Sequence, residues 1–216
     1  MYKNNKTNTI DIEEKFNSIS HGIAAPVALF GLIILIIFSI KSNKDWGLFS
    51  STVYGLSLLI TYISSTIYHA VSEKQMKHIF RVLDHSSIFI LIAGSYTPVL
   101  LISIGGNIGW SMFIAQWSIA VFGIIFKIFY TGKYEFISIL LYLIMGWMAV
   151  FHWNHLINSI SETAFKLLLS GGIAYTAGIL FYLFDYKFKY FHFIWHLFVI
   201  IASALHYIMI LKYVII

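Results

Sequence analysis

Seven stretches of this chain are predominantly apolar: residues 20–40, 46–71, 83–104, 108–130, 136–157, 164–184 and 191–216. Each has the roughly 20 residues that a helix needs to cross a hydrocarbon core about 30 Å thick. Residues 28–38 read ALFGLIILIIF, with no polar position in the run. A membrane β-strand would instead alternate apolar and polar side chains over about ten residues. The pattern therefore predicts helices, which satisfy their own backbone hydrogen bonds in lipid, over a β-barrel. The connections 41–45, 72–82, 105–107, 131–135, 158–163 and 185–190 are too short to hold an extramembrane domain. The expected architecture is an all-α integral membrane protein, a seven-transmembrane helix bundle occupying 1–216 as one domain.

Composition narrows this further. Of 216 residues, 59% are hydrophobic and 11% charged, against about a quarter charged in a soluble domain. So few charges cannot coat a water-facing globule. The formal charge is +5, but the lysines are dispersed among short connections. No basic patch interleaves with aromatics, so nucleic acid is not an expected partner. The absence of cysteine removes disulfides, thiolate metal sites and cysteine nucleophiles, leaving histidine and carboxylate as the strong ligands. Residues 1–12 are polar and lack the apolar run of a cleavable signal peptide, so the first span is expected to act as the insertion signal.

The fourteen basic residues divide unevenly between the two sides. Ten (Lys3, Lys6, Lys15, Lys74, Lys77, Arg81, Lys127, Lys133, Lys187 and Lys189) fall with the N-terminus and the second, fourth and sixth connections; Lys41, Lys44, Lys166 and Lys212 fall opposite. The side richer in Lys and Arg faces the cytoplasm, which predicts a cytoplasmic N-terminus and a C-terminus outside, in the plasma membrane. Trp46, Trp110, Tyr130, Tyr134, Trp153 and Tyr213 sit at span ends, as an interfacial belt would.

Ionisable groups inside spans are costly and mark functional positions. The second span ends at the cytoplasmic side on Ser65-x3-His69, and the third begins there with Asp84-His85. The seventh begins there with His192-x3-His196, two imidazoles on one helix face that can close on one ion. Glu13-x3-Asn17-x3-His21 stacks three polar groups on the first. Four helix ends thus bring polar groups to one leaflet. His69, His192 and His196 would make a three-histidine site with an open position, the arrangement of a catalytic zinc. Asp84 and Ser65 would stand beside it, with Glu13, Asn17, His21 and His85 further out. Ligand type also admits iron, copper or nickel, and the spacing alone equally admits a metal-free polar network.

Other polar positions carry plainer readings. His78 is expected in a loop, and His152 and His155 at the interface of the fifth span. His206 lies ten residues beyond His196, about 15 Å higher at the helical rise, so it should pack within the bundle. Asp185 reads as a solvated loop residue, and Glu13 with Glu14 as an exposed first-turn pair. Residues 94–98 (GSYTP) read as a packing or bend element around Pro98. Gly22, Gly31, Gly171, Gly172 and Gly178 read as sites of close helix approach.

The ordered motifs EEKFNSISHG (13–22), SSTIYH (64–69), RVLDHSSIFILIAGSYTP (81–98) and HFIWHLFVIIASALH (192–206) cover nearly the whole chain. They resemble the hemolysin III family, the bacterial branch of the progestin and adipoQ receptor superfamily. The resemblance implies seven helices with a cytoplasmic N-terminus. It also implies a buried zinc on His69, His192 and His196, with Ser65 and Asp84 nearby. It connects the chain to lipid amide hydrolysis, to haemolysis and to membrane-fluidity homeostasis. The receptor branch's long N-terminal extension is missing, so no protein hormone is implied. Three activities follow as expectations: a zinc-dependent hydrolase of a membrane lipid amide or ester, a non-enzymatic sensor or regulator of the bilayer, and a pore-forming cytolysin.

Overall fold

A computed structural model describes residues 12–216; the polar N-terminal stretch, with Lys3 and Lys6, lies outside the described residues. Seven helical segments are long and apolar enough to cross a membrane. Helix α1 (Ile12–Ser42) opens with Glu13 and Glu14 and closes with Lys41, charges that complement the helix dipole at both ends. It presents Ile23, Val27 and Phe30 outward, each 66% exposed, while Asn17, Ser20, His21, Ala24 and Ala28 face inward. Small and polar residues inside, with large apolar ones outside, is the pattern of a helix whose solvent is lipid.

Helix α2 (Gly47–Ala70) packs between α1 and α3 and buries Ser57, Thr61, Ser64, Ser65 and His69 along its inner face. Helix α3 begins at Lys74, not at residue 83 as apolar content suggested. The connection before it is therefore short, and His78 stands on a helix rather than in a loop. Glu73 explains the early start: its side chain accepts hydrogen bonds from the Gln75 and Met76 amides at 2.9 and 2.7 Å, a standard helix cap. A search for membrane spans overlooks this amphipathic turn because too few of its residues are apolar.

Pro98 ends α3 and leads into a π-helical turn, Val99–Ile104, so the third span changes its winding where proline removes a donor. Gly94 lets this helix close on α2, since a Cβ there would lie 2.4 Å from Ser57 Oγ. Helix α4 (Gly106–Tyr130) follows. The fifth span is broken into α5 (Glu135–Gly146), a 3₁₀ turn (Met148–His152) and α6 (Trp153–Ser159), where the apolar run predicted one helix. Side chains from neighbouring helices fill the break. Tyr96 Oη donates to Gly146 O at 2.6 Å and accepts from Ala149 N at 3.3 Å, and Gln116 Nε2 donates to Met145 O at 2.8 Å. Backbone freed inside a membrane span needs such partners.

Helix α7 (Glu162–Leu183) packs along α8 (Phe191–Ile210), which ends in a second π turn, Leu211–Ile215; α8 also touches α1. Gly171 permits the α7–α8 approach, because a Cβ there would lie 2.3 Å from the His206 ring. His206 itself is buried and hydrogen-bonded to Leu168 O at 3.1 Å, as a packed residue should be. Gly31 likewise meets Tyr207, whereas Gly172 has no neighbour a Cβ would touch. Lys127, counted above among the loop charges, is fully buried in α4 and paired with Glu135, with Arg81 3.9 Å from the same carboxylate. Pairing is the usual condition for a lysine this deep.

Candidate metal centre

The end of α2, the start of α8 and the first turns of α1 meet at one end of the bundle. There His69, His192 and His196 converge: one ring nitrogen from each lies within 4.8 Å of the others. Their centroids are 5.0 Å (His69–His192), 5.0 Å (His69–His196) and 4.9 Å (His192–His196) apart, with planes inclined by 60°, 69° and 64°. Inclined rings can aim their in-plane lone pairs at a common point. Spacing of four along α8 sets the His192–His196 pair; the α2–α8 packing brings in His69.

In each histidine, Nδ1 is engaged. His69 Nδ1 donates to Glu14 Oε2 at 2.7 Å, and His192 Nδ1 donates to Asp185 Oδ2 at 2.7 Å. His196 Nδ1 donates to Asn17 O at 3.2 Å and lies 3.0 Å from Ser20 Oγ. Ser20 gives its own proton to Asn17 O at 2.8 Å, so its oxygen is free to accept from His196. Carboxylates and carbonyls only accept, which places the proton on Nδ1 and the lone pair on Nε2 in all three rings. His69 Nε2 is buried with no hydrogen-bond partner among the described residues. An orphaned lone pair facing two others is what a metal ion would satisfy, and carboxylates behind ligating histidines raise their basicity and hold their rings. The triad could hold a metal ion.

The other expected residues take several places. Ser65 and Asp84 line one cavity with His21, His192 and His196. Ser65 Oγ is buried without a partner, and Asp84 Oδ2 lies 3.3 Å from His85 Nδ1. His85 stands outside the triad, its Nε2 3.4 Å from Tyr182 Oη. His21 stacks on His196 and hydrogen-bonds to none of the three. Glu13 does not reach the histidines: its Oε1 accepts from Tyr190 N at 2.8 Å and so pins the start of α8.

Two expectations are corrected. Glu14 is no mere surface charge, since it holds His69 and is bridged by Lys77 Nζ at 3.2 Å. Asp185 is no free loop residue, since it holds His192. Glu14 carried a signal: with Asn17 and His21 it falls at intervals of three and four, on the same helix face. Asp185 carried none, because its contact with His192 depends on the path of the α7–α8 loop.

Two spaces meet at the triad. The cavity just described runs from Asp84 to Tyr96 along α3, about 18 Å at the helical rise, between walls that include Ile88, Ile92, Leu143 and Val199. On the other side a polar vestibule is lined by Glu14, Arg81, Glu135, Asp185 and Tyr186, and His192 lines both. The histidines therefore sit between an aqueous-type surface and an apolar channel.

Comparison with known proteins agrees with this architecture. A family model described as "Haemolysin-III related" matches residues 11–207. The chain is 40% identical over 201 residues to the "Hemolysin-3 homolog" of Bacillus subtilis (strain 168), covering 93% of this chain and 94% of that one. It is 42% identical over 202 residues to "Hemolysin-3" of Bacillus cereus, covering 94% and 92%. It is 31% identical over 207 residues to the human "Monocyte to macrophage differentiation factor", covering 93% and 84%. No solved structure gives a match. Seven apolar spans, a convergent histidine triad and matches that run nearly end to end lead to one conclusion: the chain belongs to the haemolysin-III-related family of membrane proteins.

Proposed function

We propose that this protein is a zinc-dependent hydrolase of a lipid amide or ester, acting within the plasma membrane. The observation that carries the reading is the triad itself: three histidines with Nδ1 tied back and one ring nitrogen each within 4.8 Å of the others, at the head of an apolar channel. Three histidines with an open position match catalytic rather than structural zinc. When bound on His69, His192 and His196, the metal supplies Lewis acidity, polarising a carbonyl and acidifying water. The chain's own residues do the rest. The channel holds the apolar chain and excludes bulk water; the vestibule admits water and releases the polar product. Asp84, in the cavity wall, takes and returns the proton, while Ser65 Oγ is free to hydrogen-bond the substrate oxygen.

Ten basic residues against four orient the N-terminus to the cytoplasm; setting the buried Lys127 aside leaves nine against four. The triad then lies near the inner leaflet. Metal analysis of purified protein tests the reading at its base. Wild type should hold about one zinc by the three-ligand logic, and His192→Ala should lose it. Unchanged metal in the variant removes the site. Asp84→Asn should keep metal and lose product release from a ceramide-type amide.

A sensor or regulator that uses the metal as a brace is the second reading, favoured if metal binds without turnover. Identical lipid profiles in cells carrying wild type and Asp84→Ala, with altered membrane physiology, would select it. The names of the two Bacillus relatives favour a cytolysin. Dye release from liposomes on adding purified protein would select that one.

A further inference from the structure

His21 differs from every other polar group at the head of the channel. It is 3% exposed, it lines the cavity, and neither of its ring nitrogens has a hydrogen-bond partner among the described residues. A neutral imidazole carries one N–H donor and one lone pair. Folded proteins seldom bury both unmet, unless a ligand or water completes them. Its neighbours give it packing only. Its face lies on His196, with centroids 3.8 Å apart and planes 8° from parallel, and Tyr62 meets it edge-on at 5.0 Å.

The stacking also excludes the obvious alternative, a fourth metal ligand. An imidazole binds a metal through a lone pair lying in its ring plane. Parallel planes do not meet, so an ion in the plane of His196 lies well out of the plane of His21. The rings of His69 and His192 are inclined to His196 by 69° and 64° and have no such conflict. Stacking thus fixes the His21 ring beside the triad while keeping its nitrogens off the metal. Ser65 Oγ, in the same cavity and also unpartnered, gives that end of the channel a second free hydrogen-bonding group. Most of the remaining channel surface is apolar, so these two groups are where a lipid's polar group gains unclaimed partners beside the triad.

We infer that His21 is the seat for the polar group of the channel's lipid: it hydrogen-bonds the amide or ester linkage and places it against the triad. This rests on the lipid-hydrolase reading above and adds a substrate-positioning residue to it. The class of ligand is a lipid with a hydrogen-bonding carbonyl linkage, as distinct from an apolar or ether-linked chain.

The test uses full-length protein in nanodiscs and two probes: a ceramide labelled on its acyl chain with a fluorophore, and an ether-linked analogue with the same label. His21→Phe keeps an aromatic face against His196 and removes both nitrogens. Metal content should equal wild type, and affinity for the ceramide should fall by about ten-fold, the worth of one lost hydrogen bond to a buried partner. Affinity for the ether analogue should not change. His21→Asn, which restores a donor and an acceptor, should recover part of the ceramide preference, and it decides the matter alone if the Phe variant does not fold. Four results overturn the inference. They are loss of metal in His21→Phe to the level of His69→Ala, unchanged ceramide affinity in that variant, no ceramide binding by wild type, and no preference in His21→Asn when it is the only folded variant. Ceramide bound by wild type but never cleaved would sink hydrolysis and leave this role standing. Cleavage by wild type with unchanged affinity in His21→Phe would do the reverse.

Discussion

Glu14 and Asp185 decide which nitrogen of His69 and His192 is free. Each carboxylate accepts from Nδ1 at 2.7 Å, so each ring turns its lone pair inward. Removing such an orienting partner typically costs 10–100-fold in metal affinity. Glu14→Ala and Asp185→Ala should each weaken zinc binding by about that factor, measured by competition with a coloured chelator. Glu14→Gln should lose less, because its amide oxygen still accepts from His69 while the charge is gone. Equal losses for Gln and Ala would mean that charge, not orientation, is what Glu14 supplies. At this scale the histidines were legible in the sequence, because four-residue spacing and position at a span end are local properties. Of their carboxylate partners, Glu14 could be placed only on the right helix face, and Asp185 not at all. A charged residue at a helix start reads as solvated unless its distant partner is known.

Among the elements, the broken fifth span and the extended third one depend on single side chains. Tyr96 serves two backbone groups at the break after Gly146. Tyr96→Phe leaves a carbonyl and an amide unmet inside a membrane span, at about 1–3 kcal/mol per buried group. The variant should unfold at a lower temperature in detergent, and the loss should be larger than for Ser111→Ala, whose hydroxyl is exposed and bonds only within its own turn. The start of α3 should respond to acid. Hydrogen bonds from the Gln75 and Met76 amides hold the Glu73 carboxyl below the usual glutamate range. A carboxyl depressed on folding contributes above its unfolded value, and that contribution is lost as pH falls through the depressed one. Amide protection in the first turn of α3, taken relative to the intrinsic exchange rate at each pH, should therefore fall only in acid, and Glu73→Gln should show the lower protection already at neutral pH. A flat profile in wild type would show that the cap does not hold this turn. The apolar runs foretold both spans but neither feature, since a run of apolar residues is blind to a cap and to the partners of a broken backbone.

As a whole molecule, the protein turns its bulk apolar residues to lipid and its serines, threonines and histidines to the interior. The absence of cysteine makes its orientation directly testable. A single cysteine at Lys44 should be labelled in intact cells by a membrane-impermeant maleimide, and one at Lys133 only after lysis. The opposite labelling would invert the bundle and move the triad to the outer leaflet. The seven spans and the histidine pair of α8 were determined by the sequence alone, because length in lipid and helical spacing are written into neighbouring residues. Tertiary structure alone decided that His69 joins that pair, that Glu14 and Asp185 stand behind the ligands, and that His21 lies flat on His196. His69 and Glu14 are 55 positions apart, and His196 and Asn17, where α8 meets α1, are 179 apart; even Asp185 and His192, seven apart, meet only through the path of a loop. Packing between helices sets such distances and ring angles, and no local pattern of residues contains them.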